Sequence, residues 1–286
     1  MGMLAGRTAV IIGAGVGIGQ QIAIAMAESG ARILVNNSGI SPSEEGVDPA
    51  AAEKVVQEIT AMGGEAFAST DAATSWEGTE KIVAAAVDHF GRIDILVNSS
   101  GIRSDSPCFE ISGEQWHRVL EAHLKAAFLC TRLTAKLMRK QKQGRIIHLV
   151  SASGLIGDKG CINYSTANMA IVGLSRNVAI EMKYSNVTSN CIVPVKAERA
   201  QHSIPANVAP LAVFLAGESS KNISGQIFSV RGKEISLFSQ PRIARSIHHS
   251  QGWPVDRLAK ILIPSLKAHF TPMETAESYF SWDPMD

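Results

Sequence analysis

Apolar and polar positions along the chain follow two alternating rhythms. Short, nearly continuous apolar runs occur at Thr8–Ile12, Arg32–Asn36, Ala66–Ser69, Ile93–Asn98, Arg145–Val150, Val187–Val193 and Gln226–Val230. Between them, apolar residues recur at helical spacing over roughly 18–29, 49–62, 76–90, 114–140, 162–184 and 206–216. Strands this apolar need cover on both faces, and amphipathic helices between them supply it. The pattern predicts a doubly wound α/β fold of the Rossmann type with a parallel sheet of seven strands. Such a sheet binds ligands beyond the carboxyl ends of its strands, where strand order reverses.

The rhythm changes after Gly232. Residues 1–232 are read as one domain, and 233–286 as an extension of short helices packed on the body or on a partner subunit. Pro254 suits the start of a helix with Val255, Leu258 and Leu262 on one face, and Pro264 is expected to end or kink it.

Composition narrows the function classes. Of the 286 residues, 45% are apolar, enough for one large domain, and 27 basic residues against 26 acidic ones give no electrostatic case for nucleic acid or an anionic membrane. No apolar run reaches the ~18 residues of a membrane span, and the N-terminal residues lack the pattern of a signal peptide. A cytoplasmic location is the expectation. Cys108, Cys130, Cys161 and Cys191 are widely spaced and are read as buried or semi-buried thiols; neither they nor the histidines have metal-ligand spacing, so no metal is expected.

The segment VIIGAGVGIGQ follows the first strand and opens the first helix. Glycines at 13, 17 and 19 let the backbone turn tightly and approach a pyrophosphate, which a helix N-terminus holds with its free N–H groups. A dinucleotide is therefore expected there. Asn37 stands 18 residues beyond Gly19, near the place where an acidic residue would accept the ribose hydroxyls of NAD and repel the phosphate of NADP. It lacks that charge, and Val16 stands at the loop position where an arginine would welcome the phosphate. NAD is slightly preferred over NADP.

Across residues 4–232 the chain resembles the short-chain dehydrogenase/reductase family. The segments AAEKVVQEITAMGGEAFAS, FGRIDILVNSSGI, HLKAAFLCTR and MRKQKQGRIIHLVSASGLIGDKGCINYSTANMAIVGLSRNVAIE carry the resemblance. They are most like the branch that forms the (3R)-hydroxyacyl-CoA dehydrogenase part of peroxisomal multifunctional enzymes. The resemblance implies a catalytic set of Ser151, Tyr164, Asn168 and His123. It implies a cofactor site built from Gly13, Val16, Gly17, Ile18, Gly19, Asn37, Asp71, Ala72, Asn98, Ser100, Gly101, Tyr164, Asn168 and Pro194. Asp71 would bond the adenine, Ser151 would orient the substrate and Tyr164 would transfer the proton. A small-molecule substrate, a hydroxyacyl thioester among the possibilities, and a homodimer or homotetramer formed through the helices at 114–140 and 162–184 are implied as well.

The departures from the family bear on chemistry. A phenol of ordinary acidity is only ~0.1% ionised at pH 7, and the family lowers that barrier with a lysine one helical turn after the tyrosine. A unit charge at about 4 Å is worth roughly three pKa units at an effective dielectric near 20. Here the sequence reads Tyr164-Ser-Thr-Ala-Asn168, and asparagine supplies no charge. Another lysine, Lys159 or Lys196, would have to reach in. Ile12 replaces the threonine before the glycine loop, and Pro194-Val195 replaces Pro-Gly. Only twelve residues separate Pro194 from Asn207, where the next helix is expected, too few for a long substrate lid. The extension after Gly232 would replace that lid or form a subunit contact.

His123 stands where the wider family has asparagine and its multifunctional-enzyme branch often has histidine; it is read equally as a proton carrier and as a structural group. Three functions stay open: an NAD(P)-dependent oxidoreductase with impaired proton transfer, a silent cofactor-binding or scaffold member, and a non-redox lyase or dehydratase.

Overall fold

The computed structural model describes residues 2–38, 48, 50–195 and 204–282, without the side chains of 204–207. The strands are β1 (Thr8–Ile12), β2 (Arg32–Asn36), β3 (Ala66–Ser69), β4 (Ile95–Asn98), β5 (Gly144–Leu149), β6 (Val187–Val195), β7 (Ile227–Arg231) and β8 (Glu234–Leu237). They form one sheet in the order β3-β2-β1-β4-β5-β6-β7-β8. All neighbours run parallel except β7 and β8, which pair antiparallel. The sheet thus has eight strands rather than the expected seven. The added edge strand follows β7 across a two-residue turn at Gly232 and Lys233.

The helices are α1 (Gly17–Glu28), α2 (Ala51–Ala61), α3 (Trp76–Phe90), α4 (Gly113–Leu120), α5 (Ala126–Gln141), α6 (Ala152–Leu155), α7 (Ile162–Glu181), α8 (Ile204–Ala216), α9 (Val255–Leu266) and α10 (Ala276–Tyr279). Because successive strand side chains point to opposite faces, each central strand feeds two cores. Ala9 and Ile11 join a core with α1, α2 and α8, whereas Val10 and Ile12 join one with α3 and α5. This double burial explains why β1 reads as an unbroken apolar run.

The expected single helix over 114–140 is interrupted. A π turn at Glu121–Lys125 separates α4 from α5 and carries His123. α9 begins directly after Pro254, as expected, but runs two residues past Pro264. Ending so soon, the helix loses only one hydrogen bond to that proline. Cys130, Cys161 and Cys191 are buried, whereas Cys108 is exposed, against expectation; all four are free. No helix among the described residues is long and apolar enough to cross a membrane.

The far end of the extension folds back on the body. The Ala276 N–H donates to the carbonyl of Gly157 at 2.8 Å, just after α6. Phe280 is buried in a third core with Val150, Ile171 and Val193, packed by Phe238. The Trp282 indole donates to Glu234 at 3.3 Å, with the Arg231 guanidinium carbon 5.2 Å above its ring. α9, by contrast, buries no residue fully. Phe280→Ala should therefore lower the unfolding free energy by about 3 kcal/mol, while Val255→Ser stays within about 0.5 kcal/mol. Urea denaturation of the full chain checks both, and equal effects would contradict a docked C-terminal end.

Candidate active site

Strand order reverses between β1 and β4, and the loops leaving those strands open a cavity of about 440 Å³. Ile12 is in register with both Asn36 and Asn98, so three strand ends meet at one level. The turn after β1 is held by the N–H groups of Gly13 and Ala14, both donating to the Asn36 carbonyl. Gly13 has φ +75°, and a Cβ there would lie 2.6 Å from the Cα of Ser100. A Cβ on Gly19 would overlap the carbonyl oxygen of Gly13. Glycine at these two positions is what brings α1, the β1 turn and the β4 loop together.

The first turn of α1 has no side-chain cap and no acidic residue, and Val16, Gly17 and Ile18 line the cavity. Its leading N–H groups therefore meet an open space without a side-chain acceptor, as a bound pyrophosphate requires. The residues present fit a dinucleotide. Asn37 also lines the cavity, its amide lying against Gly15, where a Cβ would come within 2.6 Å.

The sequence-derived residues separate by place. Gly13, Val16, Gly17, Ile18, Asn37, Ser100, Gly101, His123, Ser151, Tyr164, Asn168 and Pro194 line the one cavity. Gly19, Asp71, Ala72 and Asn98 stand outside its lining. Asp71 accepts from Ser69 Oγ at 3.1 Å, and its carbonyl accepts from Asn36 at 3.0 Å. Asn98 is buried behind the wall, donating to His148 Nδ1 at 3.2 Å and to Thr131 Oγ1 at 3.4 Å.

Ser151 caps α6 and accepts from the Ser153 N–H at 3.3 Å. Asn168 is buried, and its amide nitrogen donates to the Tyr164 carbonyl at 2.9 Å. One of its two protons is thus spent on the helix itself. His123 meets the Tyr164 ring edge-on, with centroids 5.1 Å apart at 88°. Its ring fills the space that a Cβ on Gly101 would occupy. Its Nε2 lies between the N–H of Ile102, at 3.0 Å, and the Ile102 carbonyl, at 2.7 Å; the tautomer decides which is engaged. Burial lowers its pKa against a smaller opposing effect of that backbone bond, so the ring is neutral at neutral pH.

Lys159 is exposed, and Lys196 lies outside the described residues. Sequence reasoning passed over Arg103, which lines the cavity and places its guanidinium carbon 5.3 Å from the Tyr164 ring centroid. A cation two residues past the NSSG segment was the available signal.

The short chain dehydrogenase family model matches residues 7–203. The peroxisomal multifunctional enzyme type 2 of Drosophila melanogaster is 39% identical over 237 residues, covering 79% of this chain and 39% of that protein. The Mus musculus protein of the same name is 37% identical over 260 residues, covering 87% of this chain and 35% of its own. The chain spans less than two fifths of the length of these two relatives. The 3-oxoacyl-[acyl-carrier-protein] reductase of Synechocystis sp. is 35% identical over 250 residues, with 81% of this chain and 98% of that protein covered. Among solved structures, a short chain dehydrogenase from Mycobacterium avium superposes with a TM-score of 0.87 at 34% identity, covering 96% of this chain and 99% of that one.

His148, beneath Asn98, gives the site a pH-dependent support. The Asn98 amide nitrogen can only donate, so Nδ1 accepts and the ring proton sits on Nε2, which is buried without a partner among the described residues. Burial pushes its pKa down to about 4 from an ordinary 6.5. Between those values the unfolded chain binds a proton that the folded chain refuses. Stability is fully present above about pH 6.5, falls as pH drops, and levels off below about 4, a loss on the order of 3 kcal/mol. His123 acts with the same sign. In His148→Gln this contribution should vanish, so urea midpoints of parent and variant draw together toward about pH 4. A gap that stays constant from neutral pH downward would refute it.

Proposed function

Because the chain belongs to the short chain dehydrogenase family, we propose that it is a nicotinamide-dependent oxidoreductase of hydroxyacyl thioesters or other bulky secondary alcohols and ketones. The carrying observation is that Tyr164, Ser151, Asn168 and His123 line the same cavity as the uncapped start of α1. The bound nicotinamide supplies or accepts the hydride, which leaves the chain to manage one proton at the alcohol oxygen. Tyr164 carries that proton and Ser151 hydrogen-bonds the same oxygen. Asn168 would hold the cofactor's ribose through its remaining amide proton, and the wedged His123 ring buttresses the Tyr164 ring.

The cofactor site consists of the glycine loop with Val16 and Ile18, Asn37, the Ser100–Gly101 turn and Pro194, with Asp71, Ala72 and Asn98 as its supports. NAD is the preferred form over NADP, since Asn37 offers a hydrogen bond and Val16 stands where an arginine would meet the extra phosphate. The thioester class follows the names of the multifunctional and acyl-carrier-protein relatives. The working unit is a homodimer or homotetramer, for which α5 and α7 expose Phe128, Met169 and Ile180. The cytoplasm is the proposed location; the peroxisomal names belong to the relatives. A silent scaffold is the second reading, favoured by one observation: Asn168 brings no charge one turn after Tyr164.

Calorimetric titration with NADH and NADPH, followed by nicotinamide absorbance with 3-oxoacyl thioesters, tests the proposal. Slow turnover is expected, with Tyr164→Phe losing at least ~10²-fold and Asn168→Lys gaining about 10-fold. Binding without turnover in either the parent or Asn168→Lys would favour the scaffold.

A further inference from the structure

The turn of α7 after Tyr164 offers no positive charge, yet the phenol ring has a cation on its face, delivered by a different element. Arg103 belongs to the loop after β4, and that loop is fastened both to the π turn and to the segment that carries Tyr164. Ile102 is held by His123 Nε2. The Ser104 carbonyl accepts from the fully buried Asn163 amide at 3.1 Å, one residue before Tyr164. The Ser106 N–H donates to Gly160 at 2.6 Å, and Ser106 bridges to Cys161. Arg103 sits between the first two fastenings. Its Nε donates to both carboxylate oxygens of Asp105, at 2.9 Å each, which fixes the plane of the guanidinium. Its terminal nitrogens make no hydrogen bond to a described residue, and the side chain lines the cavity.

We propose that Arg103 stabilises the phenolate of Tyr164, taking over electrostatically from the lysine that α7 lacks. This rests on the reading of Tyr164 as the proton carrier. A phenolate spreads its charge into the ring, so a guanidinium stacked on the ring face favours the anion more than the phenol. Among the described residues, the other titratable and charged groups around the ring do not supply that charge. His123 is neutral, Cys161 is buried against Ser165 Oγ, and Asp158 is engaged by Ser153. Asp105 opposes the effect. The Arg103 and Asp105 side chains are about half exposed, at 52% and 49%, so solvent screens what remains.

The chain has three tyrosines, and Tyr184 and Tyr279 are 90% and 46% exposed, so replacing both with phenylalanine leaves Tyr164 as the only phenol. In that background, tyrosinate absorbance is followed as pH is raised. Arg103→Gln should move the midpoint up by about one unit, and Arg103→Lys should recover most of it. Asp105→Asn, which frees the arginine of its counter-charge, should move the midpoint down. A purely structural ion pair predicts that Arg103→Gln and Asp105→Asn shift it alike, and that result overturns the proposal, as does an unmoved midpoint in Arg103→Gln. Should Arg103→Gln fail to fold, a downward shift in Asp105→Asn beside a nearly unmoved midpoint in Arg103→Lys carries the test, and an upward or absent shift in Asp105→Asn overturns the proposal. No substrate or cofactor enters the measurement, so the proposal can fail while the oxidoreductase reading stands. Loss of turnover in Tyr164→Phe bears on that reading alone.

Discussion

A phenol passes a proton near neutral pH only when something in its surroundings favours the anion, and water does this poorly at a half-buried ring. On the proposed reading of Tyr164 as the proton carrier, the site is organised around that constraint. His123 presses edge-on from the π turn and brings no charge at neutral pH. Asn168 spends an amide proton on the Tyr164 carbonyl. Among the described residues, the charge placed over the ring comes from Arg103.

The fold meets this need through close backbone approach. Gly13 and Gly19 draw the β1 turn, α1 and the β4 loop within contact, and Gly101 leaves room for the imidazole that secures Ile102. The loop bearing Arg103 is therefore a structural partner of α7, fastened through Asn163 and Gly160. The same glycine-rich approach that opens the nucleotide cavity also aims the cation at the phenol.

Much of the fold was legible because its signal is local. β1, β2 and β3 run between the residues that the apolar runs mark, and for β1 and β2 the reason is burial on both faces, which leaves their limits plain in the sequence. Most of the site was legible for a related reason: residues at strand ends and on one helix face keep their spacing. What escaped depends on contacts distant in sequence or on segments too short to show a period. β8 has four residues, of which three are exposed, and α6 has four. The π turn preserves the helical rhythm on either side of it, so its extra residue leaves no mark in the pattern. Arg103 over Tyr164 was illegible because its register is set by Asn163 bonding to Ser104, 59 positions earlier in the chain.

Moving a cation from a helix to a loop changes how its field is used. A lysine one turn along α7 would be walled in by the cavity, whereas Arg103 is half open to water. Its effect in the free protein is accordingly screened, and it grows when a bulky molecule fills the cavity and displaces that water, because the same charges interact more strongly at lower local dielectric. The phenolate is then favoured most with the site filled, when a proton has to move. A missing lysine at position 168 is in this view a redistribution of the electrostatic support from a helix turn to a loop.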